Sequence, residues 1–413
     1  MGSEAEVTAT TTQHTSPPRP RDHLAFDQIP TEDASQTPAA LSPLDLTFQC
    51  GPEDLVDGAL TIPPWLETQD VVDTFLRTFN WVLPLFGTQE VIDKFTTWYA
   101  QPLSHSRVTW AELSVILALA HGITGHDDPA SASAAAEHLN NAQSVVSELL
   151  AAELTLSTVR VLVGIAIIFQ ATANLRPATF IIATALRLAH HLGLHTRRTH
   201  GPDPAVNTQR DRVFWMAYLV DKDISLRARQ PSVQLDADVD LDLPSDGGDE
   251  LDTALGGYPD VPGYVFTSDR QSRFNIFGAR LRLARIQGTV YDILWSARAR
   301  NLGPDQRAEN LLVAKKMLIE WQSSVPPVFR PGTFRRHVPP EAYRYLVILN
   351  HSFLFCLALA YDLDGSRQAQ AKEVIANTEV GVPPAYCALL AGNYRDGMAD
   401  FMALHVRDAS FVW

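Results

Sequence analysis

With 413 residues the chain is long enough for a large core, and at roughly 150 residues per domain it holds two or three compact units or one large helical one. Lys and Arg number 33 against 47 Asp and Glu, a net charge of -14. An acidic surface repels phosphate backbones through the field by which basic domains attract them, so no direct nucleic-acid binding is expected of this chain acting alone.

The cysteines, Cys50, Cys356 and Cys387, are too scattered for a disulfide framework and form no C-x-x-C pair for a structural zinc. This suits a reducing compartment. The first residues carry no basic stretch followed by an apolar one, so no secretory signal is read. The longest apolar runs, Val161 to Phe169 and Leu346 to Tyr361, fall short of the roughly 20 residues that span a bilayer or are interrupted, and no membrane association is expected.

Residues 1–60 are rich in Thr, Ser and Pro with few large apolar groups, a composition that cannot offset the entropy of ordering. They read as a disordered tail, ahead of a helical region from 61 to 413. Apolar residues at helical spacing from Asp70 to Trp81 predict a first helix stopped by Pro84, and Thr88–Tyr99 a second. A third runs from Thr109 to His121 and ends at Gly122. Ser133–Ala152 reads as one Ala-rich helix, after which Ser157 caps an apolar helix. Pro177 starts the next and Gly193 ends it. A Gly/Pro loop around 199–208 leads to a helix from Gln209 to Leu226, whose stripe of Val213, Met216, Ala217, Val220 and Ile224 is widened by Phe214 and Tyr218.

Beyond it, Asp236, Asp238, Asp240 and Asp242 alternate with apolar residues; in extended backbone every carboxylate lies on one side. Residues 245–263 read as a Gly/Asp/Pro linker, followed by helices over Gln271–Arg300, Asp305–Trp321 and Glu341–Tyr361 within a C-terminal part, 271–413. No alternating run is long enough for a sheet. The expected fold is all-α, a large multi-helix array of amphipathic helices with no substantial sheet.

The stretch Ala185-Leu186-Arg187-Leu188-Ala189 with Leu192-Gly193-Leu194-His195 resembles the A-x-R-x-A-x-x-L-G-L-H segment of the fungal-specific transcription factor domain, also called the middle homology region. Arg212-Val213-Phe214-Trp215, Tyr218 and Asp221-Lys222-Asp223-Ile224-Ser225 are similar to its R-R-x-F-W-x-x-Y-x-x-D-K-x-x-S segment. Pro231 and the closing D-V-D-L-D-L-P follow in order, and Asn80 to Phe86 resembles the family's N-x-x-x-P-L-F entry. The resemblance is close over 65–244 and loose beyond.

It implies a helical fold, a nuclear location (with cytoplasm as the alternative) and a role in transcription regulation, possible targets being secondary-metabolite genes. Gly193, His195, Arg212, Asp221 and Pro231 are the structural positions it implies. Such regulators usually carry a binuclear zinc cluster that enters the major groove; the cysteines here cannot form one, so regulation is expected through a protein partner or a small-molecule metabolite. The alternative is the same fold recruited as an enzyme or carrier in secondary-metabolite biosynthesis. Arg229 stands where the family often has Gly, which puts the usual tight turn in question, and Arg160 where Gln is common.

His191 and His195 have a spacing at which two imidazoles share a zinc, but Gly193 lies between them and no H-E-x-x-H pattern is present. A dipole-stabilised helix end is the better reading, with no metal and no cofactor. A calcium loop over the aspartates lacks its glycine, which favours a solvated or arginine-paired edge. Asp221, Asp223, Tyr218, Arg227 and Arg229 read as one buried polar network, structural pairing being favoured over a pocket. His190, Trp215, Tyr218 and Asp223 are the candidates for lining a ligand cavity between helices. No catalytic signature is present, so catalytic residues and enzyme class cannot be read.

Overall fold

A computed structural model describes residues 60–101, 105–124, 128–170, 175–244, 262–331 and 333–362. The N-terminal tail, Cys50, Cys387, most of the 245–263 linker and the chain after residue 362 lie outside them. The described residues form an array of α-helices: α1 (Trp65–Arg77), α2 (Phe79–Val82), α3 (Thr88–Ala100), α4 (Arg107–Thr124), α5 (Pro129–Ser144), α6 (Val146–Ala151), α7 (Leu156–Gln170), α8 (Arg176–His191), α9 (Pro204–Arg227), α10 (Ile276–Val290), α11 (Ala297–Arg300), α12 (Pro304–Ser324) and α13 (Tyr343–Asp362). The sheet is one antiparallel pair, β1 (Tyr264–Phe266) and β2 (Arg273–Asn275), with Val265 opposite Phe274. The expected all-α class is what is found; three residues per strand are too few to register as alternation.

Local chemistry sets the boundaries. The first helical pattern breaks at Thr78. Buried Asn80 then donates to the Phe86 carbonyl (2.8 Å) and accepts the Phe86 N–H (3.0 Å). One amide side chain thereby closes the Leu83–Pro84–Leu85 turn, which explains the pattern of that motif. The Ala-rich region is two helices, not one, parted at Val145, and α4 runs two residues past Gly122. Thr155, not Ser157, caps α7: its hydroxyl accepts the Thr158 N–H.

α7 is buried nearly all round, a central rather than a surface helix. It crosses α4 where a Cβ on Gly164 would fall 2.2 Å from the Val115 side chain; only a glycine admits that approach. Asp203 caps α9 by accepting the Ala205 N–H (2.8 Å), with Pro204 at the first helical position, and the helix is buried from Val213 to Leu226.

α10, capped by Asn275 onto the Gly278 N–H (2.7 Å), packs on α9, α12 and α13. Buried Trp321 of α12 donates its indole N–H to the Ala279 carbonyl (2.9 Å). The hairpin is tied back to the first helices, because the Gly263 N–H donates to the Trp81 carbonyl at 2.6 Å. One hydrophobic core runs from Val72 to Ala360. Contrary to the expectation of too interrupted a run, residues 340–360 are long and apolar enough to cross a membrane by length and composition. In this fold the segment is a packing helix: Tyr345, Leu349, Phe353, Cys356 and Leu357 are buried, with Trp321 stacked on Phe353.

Candidate functional site

The site is the second half of α9 and the strip that follows it, residues 228–244. Helix α9 stops because Arg229 takes a left-handed conformation (φ 53°), while the Gln230 N–H reaches back to the Ser225 carbonyl (2.9 Å) and the Arg229 N–H to that of Leu226 (3.1 Å). The turn that Arg229 put in question therefore forms without glycine. Its guanidinium lies 4.3 Å from the centre of the Trp295 ring, and this contact offsets part of the backbone strain.

The chain then folds back onto the helix it has left. Asp221, 1% exposed, receives the backbone N–H groups of Val233 and Gln234, both at 3.1 Å, and the Ser225 hydroxyl at 3.3 Å. Burial raises its carboxyl above the ordinary value, while those two N–H groups and Lys222 favour the ionised form. Lys222, 4% exposed, spends all three ammonium donors on the strip: the Ser232 hydroxyl (2.9 Å), the Gln234 carbonyl (2.7 Å) and the Asp236 carboxylate (2.9 Å). Gly288 of α10 makes room, since a Cβ there would lie 3.0 Å from the Lys222 Nζ. Tyr218 donates its hydroxyl to the same Asp236 carboxylate (2.8 Å), and burial pushes its phenol pKa well up.

Farther along, the Trp215 indole N–H donates to the Asp242 carbonyl (3.2 Å), and His190 hydrogen-bonds the fully buried Gln234 amide. The His195 ring meets His190 edge-on at 5.0 Å, and burial lowers its pKa. The His195 carbonyl accepts the Asp240 N–H (2.9 Å) in a short parallel bridge between Thr196 and Asp240. Gly193 turns the chain toward that bridge with φ 65°; a Cβ on it would meet the Thr199 methyl at 2.4 Å.

The expected alternation of the aspartates fails at its start. Asp236–Asp238 is a 3-10 turn, because Asp236 is drawn inward to Lys222 and Tyr218. Only Asp240 and Asp242 stay extended, and Arg197 pairs with both (3.0 and 2.8 Å), the arginine-paired edge.

His190, Trp215 and Tyr218 are thus brought together, all facing the strip. Asp223 is not with them: it turns to Gln170, to Gln287 (3.2 Å) and to Arg227 (3.6 Å), between α7 and α10. The single network read from sequence is split three ways, since Tyr218 and Asp221 hold the strip, Asp223 and Arg227 join helices, and Arg229 lies on Trp295. Arg212 is half-buried on α9, while His191 and Pro231 are exposed. Among the described residues no group of three His, Cys, Asp or Glu side chains is placed to hold a metal.

Sequence reasoning missed a second buried polar cluster. Glu112 and Arg160, 1% and 3% exposed, lie with Glu90 and Lys94; Lys94 pairs with Glu112 and with Glu90 (3.0 Å), and Arg160 with Glu90 and more distantly Glu112 (3.7 Å). Burial opposes ionisation of Glu90, yet Arg160 and Lys94 hold its carboxyl below the ordinary value. Beside the cluster a half-open groove of about 380 Å³ is lined by Glu90, Lys94, Trp98 and His105, none of them a residue expected to line a cavity. The available signal was a lone charge inside each of two apolar helical runs, which demands a buried partner.

No solved structure matches the chain. It is 33% identical over 300 residues to the ABC-transporter-regulating transcription factors of Aspergillus fumigatus and Aspergillus oryzae, covering 72% of this chain and 32% of each of them. To the fusaridione A cluster transcription factor of Fusarium heterosporum it is 28% identical over 273 residues, 64% of this chain and 49% of that one. The chain spans about a third of the length of the two Aspergillus relatives. The model of the fungal specific transcription factor domain matches residues 73–322, from α1 through α12 and so across the α9 clamp and its strip, and the chain belongs to that family.

Proposed function

We propose that this chain is the regulatory region of a transcription regulator, working through a protein partner or a bound small metabolite while these helices themselves make no contact with DNA. The observation that carries the reading is the family match across the helical core. The net charge of -14 supports the second part, since it disfavours phosphate backbones. The name of the Fusarium relative supports a secondary-metabolite gene cluster as the target, and the nucleus is the location proposed with it.

The strip offers a physical route for regulation. His190, Trp215, Tyr218, Asp221 and Lys222 all place polar groups on residues 232–242, so whatever competes for those groups shifts the seated population of the strip. A metabolite entering between α8, α9 and the strip, beside His190, Trp215 and Tyr218, would act in this way.

Deleting the gene while following both neighbouring transcripts and pathway intermediates tests the reading. Fallen transcripts support it; unchanged transcripts with a stalled intermediate overturn it in favour of an enzyme. Tight sequence-specific binding of duplex DNA by the purified chain at physiological salt sinks the claim about DNA, and exclusion of a fluorescent fusion from the nucleus sinks the location.

A further inference from the structure

We propose that the turn between β1 and β2, together with the segment Phe334–His337, forms a basic docking surface for an acidic peptide of a protein partner. The proposal is independent of the strip and of its seating.

Arg270, Arg273, Arg335, Arg336 and His337 are all exposed. The two segments that carry them are joined, since the Ser268 N–H donates to the His337 carbonyl at 2.7 Å. Both are held stiffly. The turn closes through Thr267 N–H to Ser272 carbonyl (3.0 Å) and Arg270 N–H to Thr267 carbonyl (2.8 Å), with Arg270 left-handed at φ 55°. Behind it Phe274 stacks on Phe329 at 5.3 Å, and Phe334 meets Tyr343 edge-on at 5.5 Å. The Tyr343 hydroxyl donates to the Arg335 carbonyl (2.6 Å), and the Arg273 guanidinium lies over the Tyr264 ring at 5.6 Å.

The acid in the turn, Asp269, is engaged by the Thr267 hydroxyl (2.5 Å) and the Gln271 N–H (3.1 Å), which hold its carboxyl below the ordinary value. Several other arginines are engaged: Arg77 on Asp73, Arg107 on Glu148, Arg197 on two aspartates, and nearby Arg330 on the carbonyls of Val325 and Ser323. Among the described residues Arg273, Arg335 and Arg336 have no carboxylate partner.

A surplus of guanidinium groups on a chain of net charge -14 is felt only at short range, because salt screens charge over about 8 Å. A duplex that extends beyond the patch meets a chain whose net charge is -14, whereas a short carboxylate-rich segment fits within the patch. Guanidinium forks match carboxylates two bonds at a time, and Arg273, already resting on the Tyr264 ring, loses little freedom on pairing.

The test uses the full chain and a short fluorescein-labelled peptide of alternating aspartate and glycine, read by fluorescence anisotropy. Saturable binding is expected, weakened about tenfold in the R273E/R335E/R336E variant and to a lesser degree in the matching glutamine variant. R298E, which makes one such charge reversal on an exposed site of α11, is expected to leave affinity unchanged. The proposal is overturned by any of these outcomes: no saturable binding by the unaltered chain, equal binding by both triple variants, an equal loss in R298E, or tighter binding of a duplex DNA of matched charge.

Discussion

Lys222→Met tests whether the strip is held by the ammonium of α9. Methionine keeps the length and most of the volume of the stem, so the change removes donors rather than packing. Three interactions go, at 2.9, 2.7 and 2.9 Å. The Gln234 carbonyl keeps the Ser232 hydroxyl as a donor (3.2 Å), and Asp236 keeps Tyr218 and is a third exposed, so water recovers part of its solvation. Charged hydrogen bonds contribute about 1.5–3 kcal/mol each and neutral ones about 1. Against that stands the relief of no longer burying an ammonium, and a net loss of about 3 kcal/mol is expected. At about 2–4 °C per kcal/mol this lowers the thermal midpoint by about 6–12 °C. Differential scanning fluorimetry reads it directly, and a cycle with Asp236→Asn isolates the pair, which is expected to couple by about 1 kcal/mol. A loss below about 1 kcal/mol, or additivity within about 0.3, would refute the clamp.

Gly193→Ala is expected to cost about 2 kcal/mol, because φ is 65° and the added Cβ meets the Thr199 methyl; Gly201→Ala, with open space around it, serves as a near-neutral control in the same melt. Arg229→Gly relieves left-handed strain of about 1 kcal/mol but gives up a cation–π contact of about the same size, so its midpoint should stay near that of the unaltered chain, whereas Arg229→Val should fall. His138 packs against His121 with ring centres 5.8 Å apart, and burial pushes its pKa down to about 4. A folded pKa below the unfolded value of about 6.5 means a contribution complete above pH 6.5 and lost as pH falls toward 4, up to about 3 kcal/mol; denaturant melts across that range should show the loss, and His138→Gln should flatten it.

The sequence made α8 and most of α9 legible because their signals are local: Pro177 at a first turn, Gly193 at an end, a 3.6-residue stripe in each; α9 nevertheless begins at Pro204, inside the stretch expected to be a loop, because Asp203 caps it there. It also suggested that Asp221 and Tyr218 are structural. What it could not show was where their partners lie. Asp236 departs from the alternation of its neighbours because Lys222 and Tyr218, fourteen and eighteen residues back, draw it inward, and no period within the strip records that pull. Arg160 and Glu112 were hidden for the same reason, each looking like an isolated charge until α3, α4 and α7 are packed together. Arg229 misled differently, since the preference for glycine at positive φ is a cost and not a prohibition, and Trp295 supplies the compensation from another part of the chain.

The bond from Gly263 to the Trp81 carbonyl bears on inheritance as well as on folding. The composition between Pro244 and Pro262 invites a reading of two modules, yet the hairpin beyond it rests on α2, and α10 completes the packing of α9. Neither half is a unit that recombination can lift out. A gene fragment encoding only the first nine helices would present to solvent the apolar flank of α9 that α10 covers, so an exchange of halves across that junction is expected to cost stability.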